Sequence, residues 1–578
     1  MTDFFQSAPI LGNQYDSDDL LRSFLRWRLP DAVRADVEPE LRRLGHRAAT
    51  DILALAESAE SEPPRHVPYD AWGRRVDRIV TSEAWRALDR ISAEEGIVAV
   101  AYERAHGELS RVDQLARLYL FHPSSAFYSC PLAMTDGAAR FLEVHGDART
   151  RPAFEHLTTR DPARFWTSGQ WMTERTGGSD VSRTSTIARV VDGARGEHQL
   201  YGAKWFTSAT TSQMAMTLAR IEGAPEGGRG LSVFSIELRD PDGSLRGIRV
   251  DRLKDKLGTR ALPTAELTLD GTPAQLVGGA GDGVRKIATL FNVTRVYNAV
   301  AAVSTVRRAI ALAHDYAKRR VAFGKPLAEH PLHVETLAEL ELEYRAGFHL
   351  AFHVGLLLGK DECESASEEE VQLLRLLIPL AKLYTGKQAV AVASEVVEAF
   401  GGAGYVEDTG IPRLLRDAQV LAIWEGTTNV LSLDVLRVLD KTDALALFLA
   451  DARARIDRLG QQAFAHPAGR VRSALAEIEQ HANRAARGDA GFREAAARRF
   501  AFALARTYAA SLLLEHAAWC AGRGSSEPDT ERARAAAVRW CARDLAPVGD
   551  PSSESPGESM LLATEAPAPT PAHRAHSS

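Results

Sequence analysis

Arg416-Asp417-Ala418-Gln419-Val420-Leu421-Ala422-Ile423-Trp424-Glu425-Gly426-Thr427-Thr428-Asn429-Val430-Leu431-Ser432-Leu433-Asp434-Val435-Leu436-Arg437-Val438 is the stretch on which the fold turns. An apolar run delivers Trp424 and Glu425 to a Gly-Thr-Thr break, and a second apolar periodic segment follows. Thr427 or Thr428 can N-cap that second helix, because a hydroxyl oxygen accepts from its first orphan amides. Glu425 then sits at a turn between two ordered elements, beside a large aromatic ring. A carboxylate in an apolar niche loses hydration, so its pKa rises toward the range useful to a general base. Asn429, just past it, has two readings: a hydrogen bond to a ligand, or a cap on the helix.

Working outward, helical periodicity predicts long amphipathic segments near 283–320, 331–359, 369–400 and 418–438, and a four-helix bundle is the simplest architecture for them. Upstream lie short alternating runs at Thr184–Val191, His198–Trp205, Met214–Arg220, Leu231–Leu238, Ile248–Leu253 and Ala265–Leu269. Such period-two runs, split by turn residues, predict an antiparallel sandwich or barrel. No long helix interrupts them, which excludes a doubly wound dinucleotide fold.

The first 160 residues read as helical, with apolar spacing at Leu20–Leu29, Leu41–Ala56, Trp85–Ala93 and Val112–Leu120. Pro63, Pro64 and Pro68 mark an irregular connection into Tyr69–Asp77, where Gly73 suits a turn and Arg74 and Arg75 face solvent. The expected class is therefore α+β, mainly α: an N-terminal helical domain (1–160), a central β domain (161–280), the bundle (281–440), a further Ala/Arg-rich helical domain (441–547) and a disordered Ser/Pro/Glu-rich tail (548–578).

Bulk properties narrow the function. A chain of 578 residues is too long for one core. A net charge of −6, from 70 basic and 76 acidic residues, argues against a protein coated in polyanion. Cys130, Cys363, Cys520 and Cys541 are scattered, with no Cys-x-x-Cys and no nearby His cluster; this suits a reducing compartment and predicts no metal site. The start of the chain lacks a secretory pattern, and no run of about 18 apolar residues predicts a membrane span, so the cytoplasm is the expected location. Two glycine-rich pieces are not nucleotide loops: Thr385-Gly386-Lys387 lacks the P-loop spacing, and Gly401-Gly402-Ala403-Gly404 follows a helix instead of a strand. The loop Trp171–Val181 does offer hydroxyls at Thr173, Thr176 and Ser179 around flexible Gly177-Gly178, which suits a polar ring edge or a pyrophosphate.

These pieces agree with one family. Arg416-Asp417-Ala418 with Ile423-Trp424-Glu425-Gly426-Thr427 resembles the Arg-Asp-Ala…Ile-Tyr-Glu-Gly-Thr segment of the flavin-dependent acyl-CoA dehydrogenases, whose glutamate removes the α-proton of an acyl thioester. Met172-Thr173-Glu174…Gly177-Gly178-Ser179-Asp180-Val181 looks like the flavin-contacting loop, with Thr173 and Ser179 at its flavin and pyrophosphate positions. Lys204-Trp205-Phe206-Thr207-Ser208 is similar to the strand that stacks a ring on the isoalloxazine. Register puts Phe206 and Ser208 at the ring and hydroxyl positions, with Trp205 as competitor. Arg320, Phe323 and His330 match a segment that reaches FAD across a subunit interface. Glu398 to Gly402 matches the stretch on the adenine side, and Thr427 and Asn429 follow the base. The similarity covers roughly residues 65–440.

Glu398 for glutamine, Trp424 for tyrosine and Pro331 for glutamine depart from the common pattern. With Tyr69-Asp-x-x-Gly-Arg-Arg-x-Asp77 and Leu253-Lys-Asp-Lys-Leu-Gly258, they resemble the AidB-like branch, which carries an extra C-terminal helical domain. The resemblance implies FAD, an acyl-CoA substrate, Glu425 as base, a homotetramer, and electron-transferring flavoprotein as acceptor, with oxygen as the other choice. It also implies an alternative: a DNA-associated flavoprotein of the alkylation response, with secondary catalysis. Strong DNA binding needs several cations on one face. Residues 441–550 hold 17 Lys plus Arg against 13 Asp plus Glu, which is weak support; Arg493, Arg498, Arg499 and Arg506 are the candidates for a shared helical stripe, with solvated surface arginine as the other reading.

Overall fold

The structure is a computed structural model that describes residues 6–460, 462–488, 490–523, 528–548 and 556–564. The first helix, Asp19–Arg28, starts where the Asp18 carboxylate accepts from the Leu21 amide (2.9 Å), and it buries Leu20, Leu21, Phe24 and Leu25 on one face. The helix expected over Leu41–Ala56 is instead two, Asp31–Arg47 and Asp51–Ser61. Asp51 in the first turn of the second favours a new N-terminus there, a charge signal that apolar spacing passes over.

The supposed irregular connection is a hairpin, β1 (Arg65–Tyr69) with β2 (Arg75–Val80), turning at Gly73 with φ +81°. Arg74 is exposed as expected, but Arg75 is not a simple surface arginine. Its Nη2 donates to the Val250 carbonyl (2.8 Å) and its Nε to buried Asp77 (2.7 Å), stapling the hairpin to the β domain.

That domain contains β3 (Ser168–Trp171), β4 (Ile187–Asp192), β5 (Glu197–Ser208), β6 (Met214–Ile221), β7 (Leu231–Glu237), β8 (Ile248–Leu253) and β9 (Thr264–Val277). Pairing runs β6-β4-β5-β9-β7 and returns to β6, so these five strands close on themselves, with β3 added on β6 and β8 on β9. Closure removes exposed edges. The sheet is not wholly antiparallel: β3–β6 and β4–β6 run parallel. Ser-Gly-Gln-Trp of β3 carries no alternation, so its sequence does not announce the strand.

The bundle consists of Ala288–Arg319, Pro331–Glu362 and Glu368–Ala399, followed by Ile411–Leu421 and Thr428–Leu439. The third begins with a capping box, Ser367 accepting from the Glu370 amide (3.2 Å) while Glu370 accepts from the Ser367 amide (3.1 Å). The single helix expected over 418–438 is broken at 422–427, the turn that carries Glu425. Helices Ala444–Asp457, Ala465–Arg487, Ala490–Gly522 and Pro528–Ala542 follow. One apolar cluster runs from Leu21 and Phe24 through Phe348 and Phe352 to Leu504, Tyr508 and Trp540, so the added helices share the bundle core. Of the predicted tail, Val548 and a short helix, Pro556–Ala563, are described; the rest lies outside the described residues. No described helix is long and apolar enough to cross a membrane.

A buried ion network ties three helices together beneath the β domain. Arg111 donates to Asp136 (2.6 Å) on Ser129–His145 and to Glu362 (2.8 Å) at the end of Pro331–Glu362, and all three groups are buried. Arg111→Met leaves two buried carboxylates without their cation. The expected cost is roughly 3–5 kcal/mol, read as a clear fall in thermal midpoint, whereas Arg74→Met is expected to leave the midpoint unchanged.

Candidate active site

Glu425 lies in the turn between Ile411–Leu421 and Thr428–Leu439, with φ +58°, and Gly426 follows at φ +108°. A non-glycine residue in the left-handed region costs free energy and persists only where its surroundings hold it. Three contacts do so. Lys382 Nζ donates to the Gly426 carbonyl (2.6 Å), Arg295 Nε donates to the Glu425 carbonyl (3.3 Å), and Arg295 is itself paired with Asp434 (2.9 Å). Thr427, not Thr428, is the N-cap, its hydroxyl accepting from the Val430 amide.

Gly386 completes the seat. A Cβ there would stand 2.6 Å from the Leu421 carbonyl oxygen, so only glycine lets the preceding helix end press against Glu368–Ala399. Lys382 and Gly386 are four residues apart and therefore share one helix face. The Thr-Gly-Lys piece set aside as a nucleotide loop is thus part of the seat of Glu425. Arg416-Asp417 is fixed as well: Asp417 Oδ1 accepts from the Thr259 amide (2.6 Å), and Gly258 leaves no room for a Cβ against the Arg416 carbonyl.

The Glu425 side chain is half-buried, and Gln170 Nε2 on β3 donates to its Oε1 (3.1 Å). Burial raises its pKa, while Arg295, Thr294, Lys382 and Gln170 pull in the opposite direction. Trp424 packs edge-on to Phe127 at 6.2 Å. Gln170, Lys382 and Arg295 are functional candidates that the sequence pattern did not reveal. Burial of Gln170 Oε1 without a partner is visible only in the folded chain.

The loop after β3 forms a second wall. Met172 is buried in the apolar cluster under the sheet, Thr173 is half-buried, and Ser179 is exposed. The Thr173 carbonyl accepts from the Trp205 amide (2.9 Å), which fixes the loop on β5. The buried Glu174 carboxylate accepts from Ser185, Thr186 and Lys204 Nζ (2.8 Å), so it anchors the loop and does not face the site. A Cβ on Gly178 would lie 2.8 Å from Thr173 Oγ1; its absence leaves a shallow backbone cradle with φ +135° at Gly177. Lys254 Nζ lies over both rings, 3.5 Å from the centre of Trp205 and 4.4 Å from that of Phe206; Arg175 also covers Trp205, while Phe206 keeps 52% of its surface open. Ser208 Oγ is 3.0 Å from Thr264 Oγ1, which accepts from Lys256 Nζ (3.1 Å).

The remaining predicted residues lie elsewhere on the protomer. Arg320, Phe323 and His330 form the hairpin at the far end of Ala288–Arg319; Phe323 is 97% exposed with φ +50°, and His330 Nε2 donates to the Ala322 carbonyl (3.0 Å). At about 1.5 Å rise per helical residue, Arg320 is roughly 37 Å from Arg295, so this hairpin cannot join the Glu425 site of its own chain. Glu398 and Gly402 are exposed at the end of Glu368–Ala399. Asn429 is also exposed, and its Oδ1 accepts from Arg498 (3.2 Å) instead of capping the helix. Of the arginine stripe, Arg493 pairs with Asp440, Arg498 donates to Asn429 and Arg506 donates to the Asp544 carbonyl (3.4 Å), so the stripe is engaged within the chain.

A groove of about 800 Å³ opens between the β domain and the bundle helices, lined by Arg229, Arg285, Arg437 and Lys441 with Glu226 and Asp282. Arg437 lies on the helix that follows Glu425, about nine residues or roughly 14 Å beyond its start.

Comparison with known proteins agrees with this layout. The description "Acyl-CoA dehydrogenase, C-terminal domain" matches residues 281–439, and "Acyl-CoA dehydrogenase, middle domain" matches 169–272. "Adaptive response protein AidB N-terminal domain" matches 6–161, and "Acyl-CoA dehydrogenase 11 C-terminal domain-like" matches 443–562. Acyl-CoA dehydrogenase family member 11 of Caenorhabditis elegans is 43% identical over 89% of this chain and 86% of its own length. The putative acyl-CoA dehydrogenase AidB of Escherichia coli K12 is 33% identical over 71% of this chain and 76% of its own. The solved structure of Caenorhabditis elegans ACDH-11 in complex with C11-CoA superposes with a TM-score of 0.91 at 41% identity, covering 95% of this chain and 94% of that one. The chain belongs to the acyl-CoA dehydrogenase family, oxidoreductases that act on CH–CH bonds with FAD, and within it to the AidB-like branch.

The residues present fit such a cofactor: a glycine cradle for a polar group, an exposed aromatic face at Phe206, and a hydroxyl at Ser208 fed by a cation. Gly178→Val fills the cradle against Thr173. The protein is expected to purify folded but with its 450 nm absorbance reduced more than about tenfold, in line with the cost of displacing a packed contact.

Proposed function

We propose that the protein is an FAD-dependent acyl-CoA dehydrogenase that desaturates an acyl-CoA thioester between Cα and Cβ, with Glu425 as general base. The observation that carries this reading is Glu425 itself, a half-buried carboxylate of raised pKa held in a strained turn against the loop and strand that would receive the flavin. FAD, when bound, supplies the acceptor for the hydride that leaves Cβ as the double bond forms. Glu425 takes the α-proton. Gln170 donates to Oε1 and holds the carboxylate in its orientation. Met172, Thr173 and Ser179 from the loop, Phe206 and Ser208 from β5, and Thr427 beyond the base are the residues of this chain that would hold the ring system. The basic groove beside Arg437 suits the phosphates of coenzyme A.

The exposed hairpin of Arg320, Phe323 and His330, with Glu398 and Gly402, belongs in this reading to the cofactor site of a neighbouring copy, as in the family's tetramers. Its distance from Glu425 of the same chain supports that assignment. The C11-CoA bound to the relative makes a medium to long acyl chain the first substrate to try.

Two outcomes test the base. Glu425→Gln is expected to keep yellow, flavin-bound protein and to lose acyl-CoA-driven bleaching by about 10³-fold or more, within the range general-base loss allows; bleaching at the wild-type rate would remove Glu425 from the role. Because burial raises the Glu425 pKa, the base form is lost as pH falls through a value above the ordinary carboxylate range. The acid limb of the single-turnover bleaching rate is therefore expected above pH 4.5, and a limb at or below it would contradict the buried base.

A further inference from the structure

Lys382 is the least expected charge near the site. It stands in the middle of Glu368–Ala399 at 1% exposure, and the hydrogen bond recorded for its ammonium goes to a neutral acceptor, the Gly426 carbonyl. A buried ammonium without a carboxylate at hydrogen-bond distance is costly, and an apolar side chain of similar length would pack there without that cost. Its bond goes to the residue after the base, in the left-handed turn that must be held from outside. Gly386, one turn along the same helix face, receives the other shoulder of the turn at Leu421.

The other titratable groups that face the pair among the described residues are few. Arg295 reaches the Glu425 carbonyl from Ala288–Arg319 and is neutralised by Asp434 from Thr428–Leu439, and the Cys130 thiol approaches from Ser129–His145, pushed up to about 12 by burial and so uncharged. Lys382 is thus the cation beside the base that has no recorded ion partner of its own.

Resting on the reading of Glu425 as base, we propose that Lys382 is a positioning residue for catalysis: its ammonium holds the Glu425–Gly426 turn through the Gly426 carbonyl and biases the carboxyl toward its ionised, proton-accepting form. The electrostatics agree. Burial brings the Lys382 ammonium down to about 7 against the pull of Glu425, and Lys382 in turn lowers the proton affinity of Glu425. Two coupled groups lose their protons in two macroscopic steps that belong to the pair.

The sign follows directly. Removing the ammonium removes a cause that lowers the Glu425 pKa, so the acid limb moves up. The test uses flavin-bound wild type, Lys382→Met and Lys382→Arg, with undecanoyl-CoA as probe and anaerobic single-turnover bleaching from pH 4 to 9. Lys382→Met is expected to retain flavin and an unchanged or higher thermal midpoint, to bleach about tenfold or more slowly, and to show one acid step displaced upward by about one pH unit, a tenfold change in proton affinity. Lys382→Arg keeps a charge and a donor, so its acid limb should stay at the wild-type position while the step near pH 7 disappears. A folded Lys382→Met with the wild-type limb and rate would overturn the proposal, as would a displaced limb in Lys382→Arg should the methionine variant not fold. Failure of this idea is distinct from failure of the base assignment, which Glu425→Gln decides alone.

Discussion

A single backbone carbonyl organises the part of the molecule around Glu425. The Gly426 oxygen is gripped by Lys382 from the middle of a long helix, and this grip holds Glu425 at a positive φ that no local preference would select. Around it the helices are arranged to permit the contact. Gly386 lets the helix before the turn come close, Arg295 holds the carbonyl of Glu425, and Asp434 fixes Arg295 in return. The strain in the turn is balanced by tertiary contacts from three separate elements, the arrangement expected where a side chain must be aimed and not merely placed.

The opposite wall follows the same principle with different chemistry. Glu174, within a loop that reads as flexible, is the most heavily bonded residue of that loop, and its buried pairing with Lys204 roots the loop in the closed sheet. Gly177 and Gly178 then supply an opening at a fixed place instead of general mobility. Gln170 joins the two walls by donating to Glu425 from the strand that runs into the loop. Glu425, the glycine cradle and the Phe206 ring are therefore parts of one frame, and the added C-terminal helices share its bundle core.

Much of this was legible in the chain. Five of the six alternating runs close to their observed limits and three long bundle helices follow from periodicity and turn chemistry, while the motif around Glu425 and the place of Phe206 and Ser208 on β5 come from resemblance to the family. The misreadings share a cause. Leu41–Ala56 and 418–438 each keep apolar spacing through a break, because the helices on either side bury into the same core. Strand β3 and the hairpin Arg65–Val80 escape because Ser168–Trp171 carries no period-two signal and Arg75 looks solvent-facing until Val250 meets it. The parallel pairs β3–β6 and β4–β6 depend on where a distant strand enters the sheet, which no local pattern records.

By itself the sequence determined the family, the order of helical and β regions, and the identity of the acid at the break between two apolar runs. These depend on spacing and residue type along the chain. Tertiary structure alone decided that this acid stands at left-handed φ, that Lys382 and Gly386 form its seat, and that Arg320 and Phe323 lie too far away to serve the same protomer's site. Burial and hydrogen-bond partners arise between elements tens or hundreds of residues apart, and they exist only once the helices have packed.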